Sequence, residues 1–407
     1  QRYFPVKTAD GKLLPLFITV RNGGKEYLET VQHGNERVLR ARLADAQFFF
    51  DEDRKKSLEE HREKLKTVVF QQGLGTMYEK TERLEKLASF IADAIGADEK
   101  DHKHAKRAAI LSKADLVTGM VTEFTELQGI MGREYAKLDG ECEKVAIAID
   151  EHYKPRFAGD SQPQTTAGRI VSLADKIDTI VGTFSLGKIP TGSQDPFALR
   201  RQALGLVNMI IEAKYHLSLA SIVAKAMDLY AIEDEKARAK MQQDVADFIR
   251  LRLKNVLESI RYDVVDAVLA DVDDIYAVSL RAKAVADYVA SADAAAGIQA
   301  FVRVANLAKK AESAEVSAEL FQTDAERMLF AAYEKAAAAV EADIASEAYA
   351  EAIRALAALA APIDAFFADV MVMDKDEQLR DNRLKLLNRF EAVFSGIANI
   401  GELARKK

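Results

Sequence analysis

The stretch PIDAFFADVM, residues 362–371, sets Ile363, Phe366, Phe367, Val370 and Met371 at steps of three and four. A helix turning about 100° per residue gathers these side chains into one stripe, whereas a strand would divide them between two faces. Pro362 suits the first helical position, where no backbone N–H is needed. Such a stripe must be buried against another helix, and the next stretch, DKDEQLRDNRLKLLNRFEAVFSGI (374–397), supplies one. Asp374 with Glu377 reads as a capping box, and Leu387, Phe390, Phe394 and Ile397 again recur at three and four. Outward from there, residues 218–312 read as uniformly helical, polar on one side. Residues 67–217 carry several amphipathic helices broken by one loop, KPRFAGDSQPQTTAG (154–168), where Pro155, Gly159, Pro163 and Gly168 oppose continuous helix. Only the first 35 residues read as β. Runs at 2–6 and 13–20 flank Asp10-Gly11 and precede Asn22-Gly23-Gly24, which predicts a hairpin. The expected fold class is mainly α and multi-domain, divided at 1–66, 67–217, 218–316 and 317–407.

Composition fits that division. A length of 407 residues allows two to four domains, 49% hydrophobic residues supply cores, and seven Pro with 20 Gly are few enough for long helices. The net charge of −7 excludes a bare basic-domain mode of nucleic-acid binding, so any such contact must come from local patches. Cys142 is the only cysteine. That excludes an internal disulfide framework and a cysteine-rich zinc module, and it suits a reducing, cytoplasmic setting. No apolar run approaches the 18–20 residues of a membrane span, no signal-peptide pattern opens the chain, and no membrane partner is expected. Gln1 stands in a structured-looking segment without Met, which suggests that the natural N-terminus has been lost.

Catalytic motifs are few. GTFSLGK (182–188) satisfies half of a phosphate-binding loop, but Ile189 replaces the hydroxyl that would reach Mg²⁺, and a helical segment precedes it where a strand is required. It reads as an inter-helix connection. The segments AILSKADL (109–116), AIDEHY (148–153) and SLADKIDT (172–179) resemble the metal phosphohydrolases of the His-Asp type. Here Ala114-Asp115 replaces the consecutive His-Asp pair, and YEKTERL (78–84) has no His where another ligand is expected. Asp115 and Asp175 survive, and two carboxylates could hold at most a loose Mg²⁺ through waters. His152 reads as a structural hydrogen-bonding residue at a helix end. There is no Gly-x-Ser-x-Gly, His-Glu-x-x-His or dinucleotide fingerprint, so no catalytic residue and no metal site is assigned.

Basic clusters remain as RNA-binding candidates. Lys154 and Arg156 sit on the long loop, with a merely solvated loop as the alternative. Arg200 and Arg201 follow Asp195-Pro196, read as the cap and first turn of a helix, and could instead pair with nearby acids. In the C-terminal cluster, Lys385 and Arg389 fall opposite Leu387 at 100° per residue and are expected to be free. Arg380 and Arg383 fall beside the buried stripe, where they could be structural ion-pair partners.

Six stretches carry a resemblance: GNERVLRARLADAQFFFDED (34–53), FTELQGIMGREYA (124–136), HYKPRFAGD (152–160), LADKIDTIVG (173–182), PTGSQDPFALRRQALG (190–205) and the segment 362–387. Together and in order they resemble the β subunit of the bacterial heterotetrameric glycyl-tRNA synthetase, over its C-terminal part. The resemblance implies a helical domain of His-Asp ancestry with a degraded metal site, a connecting helical body, and a C-terminal anticodon-binding domain of the DALR type beginning near Ser317. It implies tRNA(Gly) and an α subunit as partners, in an assembly of two α and two β chains. Glycine activation with ATP and Mg²⁺ belongs to α, leaving this chain without a cofactor and unable to form glycyl adenylate alone. A phosphohydrolase and a non-catalytic helical scaffold are the rival readings.

Overall fold

The computed structural model describes residues 3–403 apart from residues 293 and 312. Arg2, where the sequence pattern starts the first strand, lies outside the described residues. Strands β1 (Tyr3–Lys7) and β2 (Leu13–Thr19) pair antiparallel, with Tyr3 opposite Thr19. Gly11 closes the turn at φ +84°, a conformation that costs a residue with a Cβ. Helix α1 (Leu28–Asp53) begins earlier than the Asn35 expected. Its last residue fastens it to the following domain, since the Asp53 carboxylate accepts from the N–H groups of Gly119 and Met120 and from Tyr135 Oη, at 2.7, 2.9 and 2.9 Å.

The next unit comprises α2 (Leu58–Lys64), α3 (Met77–Ala94), α4 (Glu99–Leu111), α5 (Gly119–Glu123), α6 (Ile130–Leu138), α7 (Glu143–Glu151) and α8 (Thr166–Ser185). Ser57 with Glu60 and Thr76 with Glu79 form full capping boxes on α2 and α3. Helix α8 is buried nearly all round, charged residues included, and is enclosed by α3, α4, α7, α9 (Leu199–Ala213) and α10 (Leu219–Leu229). The chain continues through α11 (Glu235–Val256), α12 (Tyr262–Val268), α13 (Ile275–Val289) and α14 (Ala294–Ala308). It ends in α15 (Asp324–Ala345), α16 (Tyr349–Ala357), α17 (Ala360–Asp369), α18 (Glu377–Ser395) and α19 (Ile400–Leu403). Helix α14 packs on α17 and α18, with the rings of Phe301 and Phe394 4.0 Å apart, so the packing of the last domain reaches back before Ser317. No helix among the described residues is long and apolar enough to cross a membrane.

Several local expectations are corrected by packing. Gly168 lies inside α8 because the Glu151 carboxylate accepts from Gln164 and Thr165 at the helix start, leaving no room for a Cβ at 168. Gly182 is likewise helical, with the Tyr230 hydroxyl standing against it where a Cβ would be, so GTFSLGK is the end of a packed helix followed by a turn. Helix α9 starts at Leu199, three residues beyond Pro196, although Asp195 still accepts from the Leu199 and Arg200 N–H groups at 2.8 and 3.0 Å. Pro362 is the third residue of α17, and the helix ends at Asp369. Val370 and Val372 are both buried while Met371 between them is 75% exposed, the alternation of extended chain. Asp376, not Asp374, caps α18 by accepting from Gln378 and Leu379. Asp374 instead takes the Asp376 N–H and the Arg383 guanidinium.

Candidate functional site

Helices α3 and α8 and the segment after α4 bring lysines together at the place where the sequence pattern asked for metal ligands. Lys80, from the α3 stretch lacking an expected His, is buried with its Nζ 2.9 Å from Asp175 Oδ1 and 2.8 Å from Asp178 Oδ2. Lys113, next to Ala114-Asp115, puts its Nζ 2.9 Å from the other Asp175 oxygen. The two ammonium groups thus stand on Asp175 where a cation would. Asp115 Oδ2 accepts the Gly129 N–H at 2.6 Å, while its buried Oδ1 has no hydrogen-bond partner among the described residues. A donor set of one doubly paired carboxylate, one backbone-bound carboxylate and two adjacent ammonium groups does not fit a divalent metal. Among the described residues, no cluster of three or more His, Cys, Asp or Glu could hold one.

The electrostatics follow from burial. Asp175 is held well below the carboxylate range, because the Lys113 and Lys80 charges overcome a desolvation that alone would raise it. Burial pushes Lys176 down to about 8, with the neighbouring Asp175 opposing and Lys113 reinforcing it. Its Nζ donates to the Lys154 carbonyl at 2.8 Å and to Ser172 Oγ at 2.5 Å. His152 is buried, its Nδ1 2.6 Å from the Ile149 carbonyl, and desolvation keeps the ring neutral. Its structural hydrogen bond is therefore present, although its Nε2 has no partner among the described residues.

Burial raises Asp115 to about 6, against the lowering effect of the Gly129 N–H and Lys113. A carboxyl whose folded pKa exceeds its unfolded one contributes stability fully below the unfolded value of 3.8 and loses it as pH rises through about 6. Asp115→Asn should therefore remove a wild-type decline on the order of 3 kcal/mol between those limits. Denaturant unfolding of both proteins across this window reads the difference, and parallel pH curves would contradict it.

A cleft of about 500 Å³ opens over these groups. Its wall includes Arg156 and Arg201, so the structure brings together one cation from the long loop and one from α9. Arg156 is partly committed to Asp150, and its N–H donates to Asp160 Oδ2 at 2.7 Å. Arg201 is exposed and makes no hydrogen bond or ion pair among the described residues. Lys154 and Arg200 flank the cleft without lining it; the Lys154 carbonyl, not its ammonium, is engaged. Lys80, Lys113 and Lys176 escaped the sequence reading because each sits within a helical or near-helical apolar pattern. The available signal was the lysine in YEKTERL and in SKAD, at or beside the positions vacated by His.

The C-terminal cluster is distributed differently from its helical wheel. Arg383 is a structural ion-pair partner as expected, buried against Glu326 and Asp374 at 2.7 and 2.8 Å. Arg380 pairs at the surface with Glu377 at 2.9 Å. Lys385 and Arg389 are not free. Lys385 is half-buried and 2.7 Å from Asp381, while Arg389 Nε donates to the Ala314 carbonyl at 2.8 Å, with its guanidinium over Phe330 and Tyr333. The wheel fails because α18 is covered by α14, by α15 and by the chain around Ala314, leaving no broad solvent face opposite Leu387.

Residues 1–270 match the family model described as the glycyl-tRNA synthetase beta subunit, and residues 298–400 match the DALR anticodon binding domain. Among curated relatives, the chain is 46% identical to the glycine–tRNA ligase beta subunit of Clostridioides difficile over 410 residues, covering all of this chain and 59% of that protein. It is also 46% identical to the proteins of that name from Syntrophotalea carbinolica and Geobacter metallireducens, covering 99% of this chain and 59% of each relative. The chain therefore spans about three-fifths of the length of these relatives.

Proposed function

Because the chain belongs to the glycyl-tRNA synthetase β-subunit family, we propose that it is the tRNA-binding part of such a subunit, supporting attachment of glycine to tRNA(Gly) in a glycine–tRNA ligase. ATP and Mg²⁺ then act at an α subunit, in an assembly of two α and two β chains in the cytoplasm. The observation carrying this reading is the anticodon-binding match at 298–400, which coincides with the mutually packed helices α14–α19. An acidic chain must meet an anionic tRNA through local cations, and the eight candidates named from the sequence remain proposals for that role: Lys154, Arg156, Arg200, Arg201, Arg380, Arg383, Lys385 and Arg389. Arg383 has the least freedom among them.

The test is tRNA(Gly) binding to the whole chain across a salt series. Lys385→Ala should lower the log-affinity versus log-salt slope by about 0.7–0.9 if its ammonium meets one phosphate, with the melting temperature nearly unchanged. Arg389→Ala should lower both slope and melting temperature, because it also releases the Ala314 carbonyl and uncovers two rings. Absence of a salt slope in the wild type, or a slope unchanged from the wild type in both variants, overturns the assignment of these residues.

A further inference from the structure

The basic cleft holds more positive charge than this chain neutralises. Lys80, Lys113, Arg156, Lys176 and Arg201 line it, against the carboxylates of Asp175 and Glu126. Asp175 is shared by Lys80 and Lys113, while Asp178, behind the wall, is shared by Lys80 and Arg83. Lys176 has a carbonyl and a hydroxyl but no carboxylate, and Arg201 has no acceptor among the described residues. Counting Asp115 as ionised, and setting Asp150 against Arg156, still leaves a cationic excess, because Asp178 is divided between Lys80 and Arg83. Burying an ammonium group costs several kcal/mol unless an anion compensates it, and three lysines are buried here. The natural complement is an anion brought from outside.

We propose that this cleft binds a phosphorylated ligand of mononucleotide size, its phosphate met by the cations of the wall and its base by ring and amide side chains. The volume of about 500 Å³ lies within the range of small-ligand pockets and exceeds what a bare phosphate fills. The remaining wall suits a base: Phe70, Tyr153 and Phe197 offer ring surfaces, and Gln71, Gln128 and Gln202 offer amides. All three rings already have a cation partner, with Lys80 Nζ 4.3 Å from the Phe70 centroid, Lys113 Nζ 4.2 Å from that of Tyr153 and Lys188 Nζ 5.8 Å from that of Phe197. The same chemistry describes a free nucleotide and an unpaired nucleotide in an RNA strand. The inference does not rest on tRNA binding by the last domain, because the probes are small and the variants lie in a different unit.

Binding to the whole chain would be measured by calorimetry with inorganic phosphate, AMP, GMP, CMP, UMP and a 5′-phosphorylated single-stranded RNA tetranucleotide. At least one nucleotide probe should bind, more tightly than phosphate. Arg201→Glu should weaken it at least about tenfold without lowering the melting temperature, since Arg201 is exposed and has no partner to lose. Lys176→Met should weaken it as well, with a change in stability reported separately by unfolding. A mononucleotide that binds marks a free ligand. Binding of the tetranucleotide alone, with the same loss in Arg201→Glu, marks a nucleotide of RNA. Binding of inorganic phosphate alone, no binding at millimolar concentration, or binding indifferent to Arg201→Glu overturns the proposal. Full-length tRNA(Gly) measured on the same variants separates the two readings, because retained tRNA binding with lost mononucleotide binding leaves the last domain's role intact.

Discussion

Asp178→Ala is expected to destabilise the protein by about 3–5 kcal/mol, the range for breaking a buried ion pair from one side. Asp178 is fully buried on α8, and its two oxygens accept from Arg83 Nε at 2.6 Å and Lys80 Nζ at 2.8 Å. Removing the carboxylate would leave Lys80 with Asp175 and Arg83 with no carboxylate, the Arg83 guanidinium resting 4.3 Å from the centre of the Tyr230 ring. Two cations would then stay in a dry interior with one counterion, which Lys113 already uses. Asp178→Asn keeps the shape and one acceptor oxygen, so its loss should be smaller. Denaturant titration reads both, and a wild-type midpoint for Asp178→Ala would show that the cations find water or another partner. Replacing Asp178 and Lys80 together by apolar residues of similar size should recover part of the loss, because it removes the cost of burial along with the attraction.

Arg383→Ala should cost a similar amount in the last domain, about 3–5 kcal/mol, by stranding Glu326. The pair is almost out of water, with side chains 5% and 1% exposed, and Arg383 also donates to Asp374 Oδ2 and the Met371 carbonyl. Glu326 does two jobs at once. Its Oε1 takes the guanidinium of α18, while its Oε2 accepts from the N–H groups of Gln322 and Thr323 at 2.8 Å, capping α15. Burial pushes its carboxyl up, but the bonds from Arg383 and the two backbone N–H groups outweigh this and hold the pKa below the usual 4.5. A depressed folded pKa means that the contribution is present above the unfolded value and disappears as pH falls through the folded one. Arg383→Ala should therefore lose most stability near neutrality and progressively less in acid. The double variant Arg383→Ala/Glu326→Gln should regain part of the loss, since no charge is left buried. Equal destabilisation at neutral and acid pH, with no recovery in the double variant, would mean that Arg383 acts only through packing of its stem.

The parts of this protein readable without coordinates are those set by neighbours in the chain. Steps of three and four at Ile363 and Phe366, and again at Leu387, Phe390 and Phe394, required helices with a buried stripe, and Asp10-Gly11 between two apolar runs required a hairpin. The six ordered motifs pointed to the family, and the place of Arg383 beside the stripe left open the ion-pair role that the structure gives it. Tertiary structure alone decided which cations are spent inside the fold and which face a cleft. Lys385 and Arg389 stand opposite Leu387 on a wheel, yet Asp381 and the Ala314 carbonyl engage them, because a helix covered on several sides has no single solvent face. Lys80 and Lys113 are distant in sequence and meet only because α3 and the segment after α4 both pack on α8, where Asp175 draws their ammonium groups together. Periodicity reports which face of one helix avoids water; only the packing of several helices determines which charges share a carboxylate and which are left for a partner.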